Sequence, residues 1–267
     1  MGRRLNLSSI FGFLFALAVF VVSVMMSTDD YLFFLNLHAI LIVLGGTAAA
    51  AFICYPAKEI ISLLKVFVKR ILGSNRRDYE GLIQEIAKLA EAFPQGYQKF
   101  ADAIAQVEDP FLKDSAEILE WGEAEITEEQ LRELLENRIE TFYTRYMKSA
   151  NIFKTVSKFP PAFGLLGTTL GMIALLQSLG PGSEGTIGKS MAIALVATMY
   201  GVATANFIFI PIAENLAEQT EEDHVSRRIV VEGVMMIYKG LPVQFVEENC
   251  RSFLLPSELN KKSAKAV

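Results

Sequence analysis

Residues 159–179 read FPPAFGLLGTTLGMIALLQSL, 21 positions without a charged side chain. A helix needs about 20 apolar residues to cross the hydrocarbon core of a bilayer, so this stretch reads as a membrane span. Three further runs have the same character. Ser8–Met26 is free of charge over 19 positions, Ser190–Ala213 over 24, and Leu32–Tyr55 over 24 apart from His38. Gly164, Gly167 and Gly171 in the quoted stretch, with Gly45-Gly46 and Gly201 elsewhere, suit close helix packing in lipid, where apolar burial no longer drives association.

The rest of the composition agrees. Of 267 residues, 52% are hydrophobic and 21% charged, with mean hydropathy +0.33. That excludes a disordered chain, a collagen-like chain and an ordinary soluble enzyme. A net charge of −5 and a pI near 5.3 argue against nucleic-acid binding. Cys54 and Cys250 supply neither a disulfide framework nor zinc spacing, and with two His in the chain no metal site is expected. The first run has the basic start of a signal peptide at Arg3 and Arg4 but no small-x-small cleavage site, and a second span follows it, so it reads as a retained helix.

Positive charge fixes the expected topology. The short loop Ser27–Tyr31 has Asp29 and Asp30 and no Lys or Arg, and Gly180–Lys189 has one Lys at its far end. Pro56–Lys158 holds 15 Lys plus Arg, Met1–Leu7 two and Glu214–Val267 seven. Both termini and the large middle segment of this multi-pass chain are therefore expected in the cytoplasm. The expected fold is all-α. A membrane hairpin occupies 1–55 and a helical cytoplasmic domain 56–158. A second hairpin occupies 159–213, with spans at about 159–179 and 190–213, and cytoplasmic helices and a tail fill 214–267.

The cytoplasmic pattern is helical. Leu82, Ile83, Ile86, Leu89, Ala90 and Phe93 recur at steps of three and four. Thr127 with Gln130 forms a capping box that opens a long helix striped by Leu131, Leu135, Ile139 and Phe142, expected to run into the third span as a stalk. A second helix, expected to begin after the fourth span, presents Val225, Ile229, Val230, Val234 and Ile237 towards that stalk. The amphipathic segment Val243–Leu255 fits either the membrane surface or packing on the stalks. The tail Ser257–Val267 is rich in Lys and Ser.

Enzymatic chemistry has no foothold. The segment from Gly180 lacks the Gly-Lys-Ser/Thr ending of a phosphate loop, and the glycine spacing Gly164–Gly171 reads as a packing face. Glu117, Glu120, Glu123 and Glu125 read as a solvated helix face, and His38 as an interfacial structural residue. The absence inside the membrane says more. Ion transport leaves an ionisable group in a span, and spans three and four carry none. They carry hydroxyls instead: Thr168, Thr169, Thr198, Tyr200 and Thr204. Either these line an ion path completed by a partner's carboxylate, or they bond back to their own helices and glue neighbours.

Pro161-Ala-Phe-Gly-Leu-Leu-Gly-Thr-Thr-Leu-Gly171 resembles the third-span signature of flagellar stator A subunits, the MotA/PomA family. Met191–Gly201, Phe209–Ala213, Arg227–Val234 and Leu41–Gly46 are similar to further segments of that family in the same order. The three-span ExbB/TolQ energisers share the first motif more loosely.

The resemblance implies an ion-driven rotary stator without organic cofactor, carrying H+ or, alternatively, Na+. Five A copies would surround two B subunits of the MotB/PomB kind, which supply the membrane Asp. The A ring would turn a rotor switch protein of the FliG kind. Thr168 and Thr198 match positions on the ion path, and Pro161 and Pro211 the coupling prolines. Ala197 stands where sodium-driven members tend to carry Thr, which favours protons. At the rotor-contacting helix the family pattern of a basic then an acidic residue falls on Pro94 and Asp102, with Lys88 or Lys99 as substitutes for the base. The alternatives are an energiser of another machine (gliding, defence or outer-membrane uptake) and a non-conducting membrane scaffold.

Overall fold

The computed structural model describes residues 7–27, 34–61, 63, 78–121, 126–177, 179–180 and 184–255. Most of the loop after Ser27, Glu123, Glu125, part of the loop after Gly180, and the tail Ser257–Val267 lie outside the described residues. No strand occurs among those described. The chain divides into two compact units, Met1–Asn75 with Met147–Ala217 and Arg76–Tyr146 with Glu218–Val267.

In the first unit, α1 (Leu7–Ser27) is a 21-residue helix with no charged side chain. Next comes α2 (Leu37–Cys54), opened by Asn36, whose Oδ1 accepts from the Ala39 N–H at 3.0 Å. Its stretch Leu41–Gly45 is wound as a π-helix. Then α7 (Phe159–Gln177) packs antiparallel to α8 (Glu184–Thr204). Among the described residues, Leu37–Cys54, Glu128–Gln177 and Ser190–Tyr238 contain helix long and apolar enough to cross a membrane.

The second unit is built on α3 (Tyr79–Ala92), α4 (Tyr97–Ala105), α5 (Pro110–Ala116), most of α6 (Glu128–Val156), most of α9 (Ile210–Tyr238) and α10 (Val243–Arg251). Local chemistry sets the starts. Asp78 accepts from Gly81 N–H at 3.1 Å, and Asp109 from the N–H groups of Phe111 and Leu112, both at 2.9 Å. Thr127 and Gln130 close the expected capping box, Thr127 N–H to Gln130 Oε1 at 3.0 Å and Gln130 N–H to Thr127 Oγ1 at 3.3 Å. The stop of α9 is a glycine cap: Gly240 takes φ 65°, and Leu241 N–H reaches back to Met236 O at 3.2 Å. The core brings Ile83, Ile86 and Leu89 of α3 against Leu131 and Leu135 of α6 and Ile229, Val234 and Ile237 of α9. The two predicted stripes therefore meet.

Three expectations change in detail, and an alternative left open is resolved. First, α6 stops at Val156 and a turn at Ser157–Lys158 precedes α7. Pro160 and Pro161 lack the N–H groups that would bond Val156 O and Ser157 O, so the ladder cannot continue through them. Second, no new helix starts after the fourth span, because α8 continues through a π-wound stretch, Ala205–Phe209, directly into α9. Third, the periodic stretch ending at Phe93 is broken there. Phe93–Gln95 forms a 3-10 turn containing Pro94, and Gly96 at φ 103° lets the chain re-enter helix α4. Last, Val243–Leu255 packs into the second unit, with Val246 and Cys250 fully buried in its core.

Candidate functional site

The seam between α7 and α8 holds the candidate ion-pathway residues. Its glycines are there because nothing larger fits. A Cβ on Gly164 would lie 3.0 Å from Ala197 O and 3.2 Å from Thr198 Cα; on Gly167 it would lie 2.6 Å from Ala197 Cβ; on Gly171, 2.7 Å from Ala194 Cβ. A Cβ on Gly201 would meet Pro160 O. The expected packing face is therefore real, and the phosphate-loop likeness of this spacing has no structural counterpart.

Because the backbones approach so closely, two hydroxyls from opposite helices meet. Thr168 Oγ1 and Thr198 Oγ1 are hydrogen-bonded to each other. Thr168 Oγ1 also lies 3.2 Å from Gly164 O and 3.1 Å from Ala194 O, and Thr198 Oγ1 lies 3.3 Å from Gly164 O. Each hydroxyl has one proton to give, so two protons serve two carbonyls and one inter-hydroxyl bond. Oxygen acceptors outnumber donors at this point, in a seam without an ionisable side chain.

Ala197 is fully buried, its methyl pressed on Gly167. Thr169 differs from its neighbour: it is exposed and donates to Leu166 O on its own helix at 2.7 Å. Tyr200 on α8 donates through its hydroxyl to Phe34 O, tying α2 to α8 beside buried Ala39, Val43 and Val196. His38 is exposed in the first turn of α2.

The two candidate prolines sit in unlike settings. Pro161 lies in the first turn of α7, where the backbone N–H has no intrahelical partner in any case, so it costs no bond there and produces no kink. Pro211 lies in the middle of the α8–α9 rod, two residues beyond the end of the π-wound stretch, and is exposed. An interior proline clashes with the carbonyl four residues back, and the wider π turn relieves that clash.

In the second unit, Lys88 on α3 and Lys99 and Asp102 on α4 are all exposed. Lys99 Nζ donates to Gln95 Oε1 at 2.9 Å, and Asp102 Oδ1 accepts from Gln98 Nε2 at 3.3 Å. The contacts described join none of the three to another. Sequence reasoning missed the ordered charge of this unit. Arg227 Nε donates to Asp223 Oδ2 at 2.6 Å, and its guanidinium carbon lies 4.6 Å from the Phe111 ring centre and 4.4 Å from that of Phe142. Burial lowers the Arg227 pKa from its ordinary value. Arg132 bonds Glu232 at 3.0 Å, which raises its pKa. The Cys250 thiol is pushed up to about 12 by burial, so it stays protonated and unreactive. Among the described residues, no group of three or more His, Cys, Asp or Glu is placed to hold a metal ion.

Multi-span helices, a glycine-seamed pair with hydroxyls at its centre and a helical domain rich in ion pairs define the class: a polytopic helical protein of the membrane. Known proteins narrow this. The MotA/TolQ/ExbB proton channel family matches residues 103–228. YtxD of Bacillus subtilis is 28% identical over 263 residues, covering 97% of this chain and 94% of YtxD. Motility protein A of Borreliella burgdorferi is 28% identical, covering 95% and 96%. A solved flagellar MotAB stator complex from Bacillus subtilis contains a chain that superposes with TM-score 0.82 at 26% identity, covering 94% and 97%. Over nearly its whole length the chain is similar to A-type subunits of flagellar stators, and its residues 103–228 match the model of the MotA/TolQ/ExbB proton channel family.

Proposed function

We propose that this chain forms, as a pentamer, the rotating ring of a stator in a bacterial inner membrane, with both termini cytoplasmic. A single-span partner of the MotB/PomB kind supplies the ion-carrying Asp, and the ring turns a rotor protein of the FliG kind. The observation that carries this reading is the Thr168–Thr198 pair. Two hydroxyls and two backbone carbonyls converge in a membrane seam that has no carboxylate of its own. Such a cluster offers oxygen to a passing cation but cannot hold its charge, so a partner's carboxylate is required. Ala197 offers a buried methyl where an oxygen would help replace sodium's hydration shell, which favours protons. Pro161 and Pro211 are the coupling prolines of this reading, and Lys88, Lys99 and Asp102 its rotor-facing residues.

One observation favours a second reading for the threonines. Their hydroxyls are satisfied within one protomer, so they also fit as pure helix glue. Thr198→Val separates the two. Each interhelical hydrogen bond in a membrane is worth about 0.6–1.7 kcal/mol, so the variant assembles. Its expected defect is at least a tenfold loss of proton flux in vesicles containing the complex, together with lost swimming. Unchanged flux reduces Thr198 to packing, whereas a wild-type complex that passes no ion overturns the stator reading itself.

A further inference from the structure

Thr198, Val202 and Asn206 are successive four-residue steps along one row of the α8 rod. Eight residues at 1.5 Å rise place Asn206 roughly 12 Å beyond the threonine pair. The neighbouring positions of the rod are apolar: Val202, Phe207, Ile208 and Ile210 are all exposed large hydrophobics. Asn206 is exposed among them. Its Nδ2 donates to Val202 O at 2.9 Å, which leaves one N–H and the whole of Oδ1 facing outward. An unpaired amide carbonyl facing hydrocarbon is costly.

The backbone beneath it adds to that cost. Asn206 is the second residue of the π-wound stretch, in which Ile210 N–H bonds Ala205 O, five residues back. The next residue, Pro211, has no N–H. In the π register the missing donor belongs to Asn206 O, and in the α register to Phe207 O. A side-chain oxygen and a released main-chain oxygen therefore come from the same turn. Backbone carbonyls freed by irregular helix at membrane depth are tolerated where they line a water-filled cavity, and in membrane transporters such oxygens coordinate cations.

We propose that Asn206 and the carbonyls released by the π-wound stretch and Pro211 form a second polar station on the ion path, on the cytoplasmic side of the Thr168–Thr198 pair. Its ligand is a hydrated monovalent cation, hydronium or Na+, bound through oxygen alone. This rests on the stator reading above. It also gives Pro211 a chemical role beside a mechanical one: the residue that interrupts the hydrogen-bond ladder of the rod is the residue that exposes the oxygen.

The test uses the full complex with its B-type partner, in cells and in vesicles. Asn206→Leu keeps the branched four-atom skeleton of the side chain and removes the oxygen; Asn206→Gln keeps the amide. The expected result is normal membrane abundance and partner co-purification for both. Cation flux should fall at least tenfold in Asn206→Leu, with recovery to within threefold of wild type in Asn206→Gln. The concentration of H+ or Na+ giving half-maximal flux should also shift at least threefold in Asn206→Leu, a readout that a packing role would not move. Running the flux assay on a proton gradient without sodium, then on a sodium gradient at fixed pH, identifies which cation occupies the station. Asn206→Leu with wild-type flux and ion dependence overturns the proposal while leaving the stator reading intact. Loss of assembly in Asn206→Leu but not in Asn206→Gln makes Asn206 an assembly contact and also overturns it. A wild-type complex that conducts neither cation removes the stator reading on which it stands.

Discussion

The α7–α8 seam and the core of the second unit both hold helices side by side, by opposite means. In the seam, Gly164, Gly167, Gly171 and Gly201 bring backbone against backbone, and the large side chains turn outward: Leu165 is 64% exposed, Leu176 62% and Leu195 63%. In the second unit Ile83, Ile86, Leu89, Leu131 and Leu135 are at or near zero exposure, and their bulk fills the space between helices. The solvent explains the difference. In water, each buried large aliphatic side chain contributes about 1.5–3 kcal/mol, so the unit collects them inward. In lipid that gain vanishes and close van der Waals contact with interhelical hydrogen bonds takes its place. The side chains that a soluble protein would hide are left to meet lipid or another chain. Only a glycine-spaced pair lets two threonine hydroxyls from facing helices touch.

The sharpest way to break this comparison is to thicken the seam. Gly201→Val drives a branched side chain onto Pro160 O and to within about 3.1 Å of Pro161 Cα, both backbone atoms that cannot rotate away. Overpacking in a core typically costs about 1–3 kcal/mol; here the expected cost exceeds that range, and no stable protein should accumulate in the membrane fraction. Immunoblots of membranes and of detergent extracts measure this. Wild-type abundance would mean that the seam is not what holds α7 to α8.

Much of the comparison was legible in the sequence, for identifiable reasons. The charge-free run Phe159–Leu179 marked a span because hydrocarbon excludes charge. Steps of three and four marked the stripes of α6 and α9, which meet as expected. Thr127 and Gln130 announced a helix start because only that spacing lets both groups bond. What failed to show was short breaks in helical winding and contacts between residues distant in sequence. Pro94 and Gly96 were visible, but the 3-10 turn they impose was hidden beneath a continuous helical period. The π-wound stretches Leu41–Gly45 and Ala205–Phe209 leave no periodic trace in five residues, although Pro211 was a warning. Arg227 looked like any other charge on a helix, since its two aromatic neighbours lie 85 and 116 positions away in sequence. For Asn206 a signal existed: it is the lone amide within a charge-free span.

Arg227 sharpens the comparison from the water side. Its side chain is 15% exposed and that of Asp223 12% exposed, so the pair is nearly as buried as the aliphatic core around it. Arg227→Leu removes the charge-assisted bond to Asp223 together with the stacking on both rings, and should destabilise by about 2–3 kcal/mol, read as a fall in the thermal midpoint of the detergent-solubilised protein by circular dichroism. Arg227→Lys keeps the charge but loses the flat face that stacks on Phe111 and Phe142, and should cost about 1–2 kcal/mol. Equal losses for the two would show that stacking, rather than charge, is what the site requires.

The smallest effect tests the same substitution type in both environments. A Cβ at Gly233 in the second unit would also collide, at 2.7 Å from Ile86 Cγ2, with the next contacts at 3.1 and 3.5 Å on the same side chain. Here the obstacle is a side-chain methyl instead of a carbonyl fixed in a neighbouring helix. Ile86 is fully buried and stiff at χ1, so relieving the overlap costs about 1–3 kcal/mol. The exchange of Gly for Ala inside a helix returns about 1 kcal/mol of that. Gly233→Ala should therefore cost about 2 kcal/mol or less, whereas Gly201→Ala, facing Pro160 O, should cost more than that. Thermal melts of the two variants side by side decide it. If Gly233→Ala is as damaging as Gly201→Ala, the distinction between a seam made of backbone and a core made of side chains does not govern how these helices tolerate a methyl group.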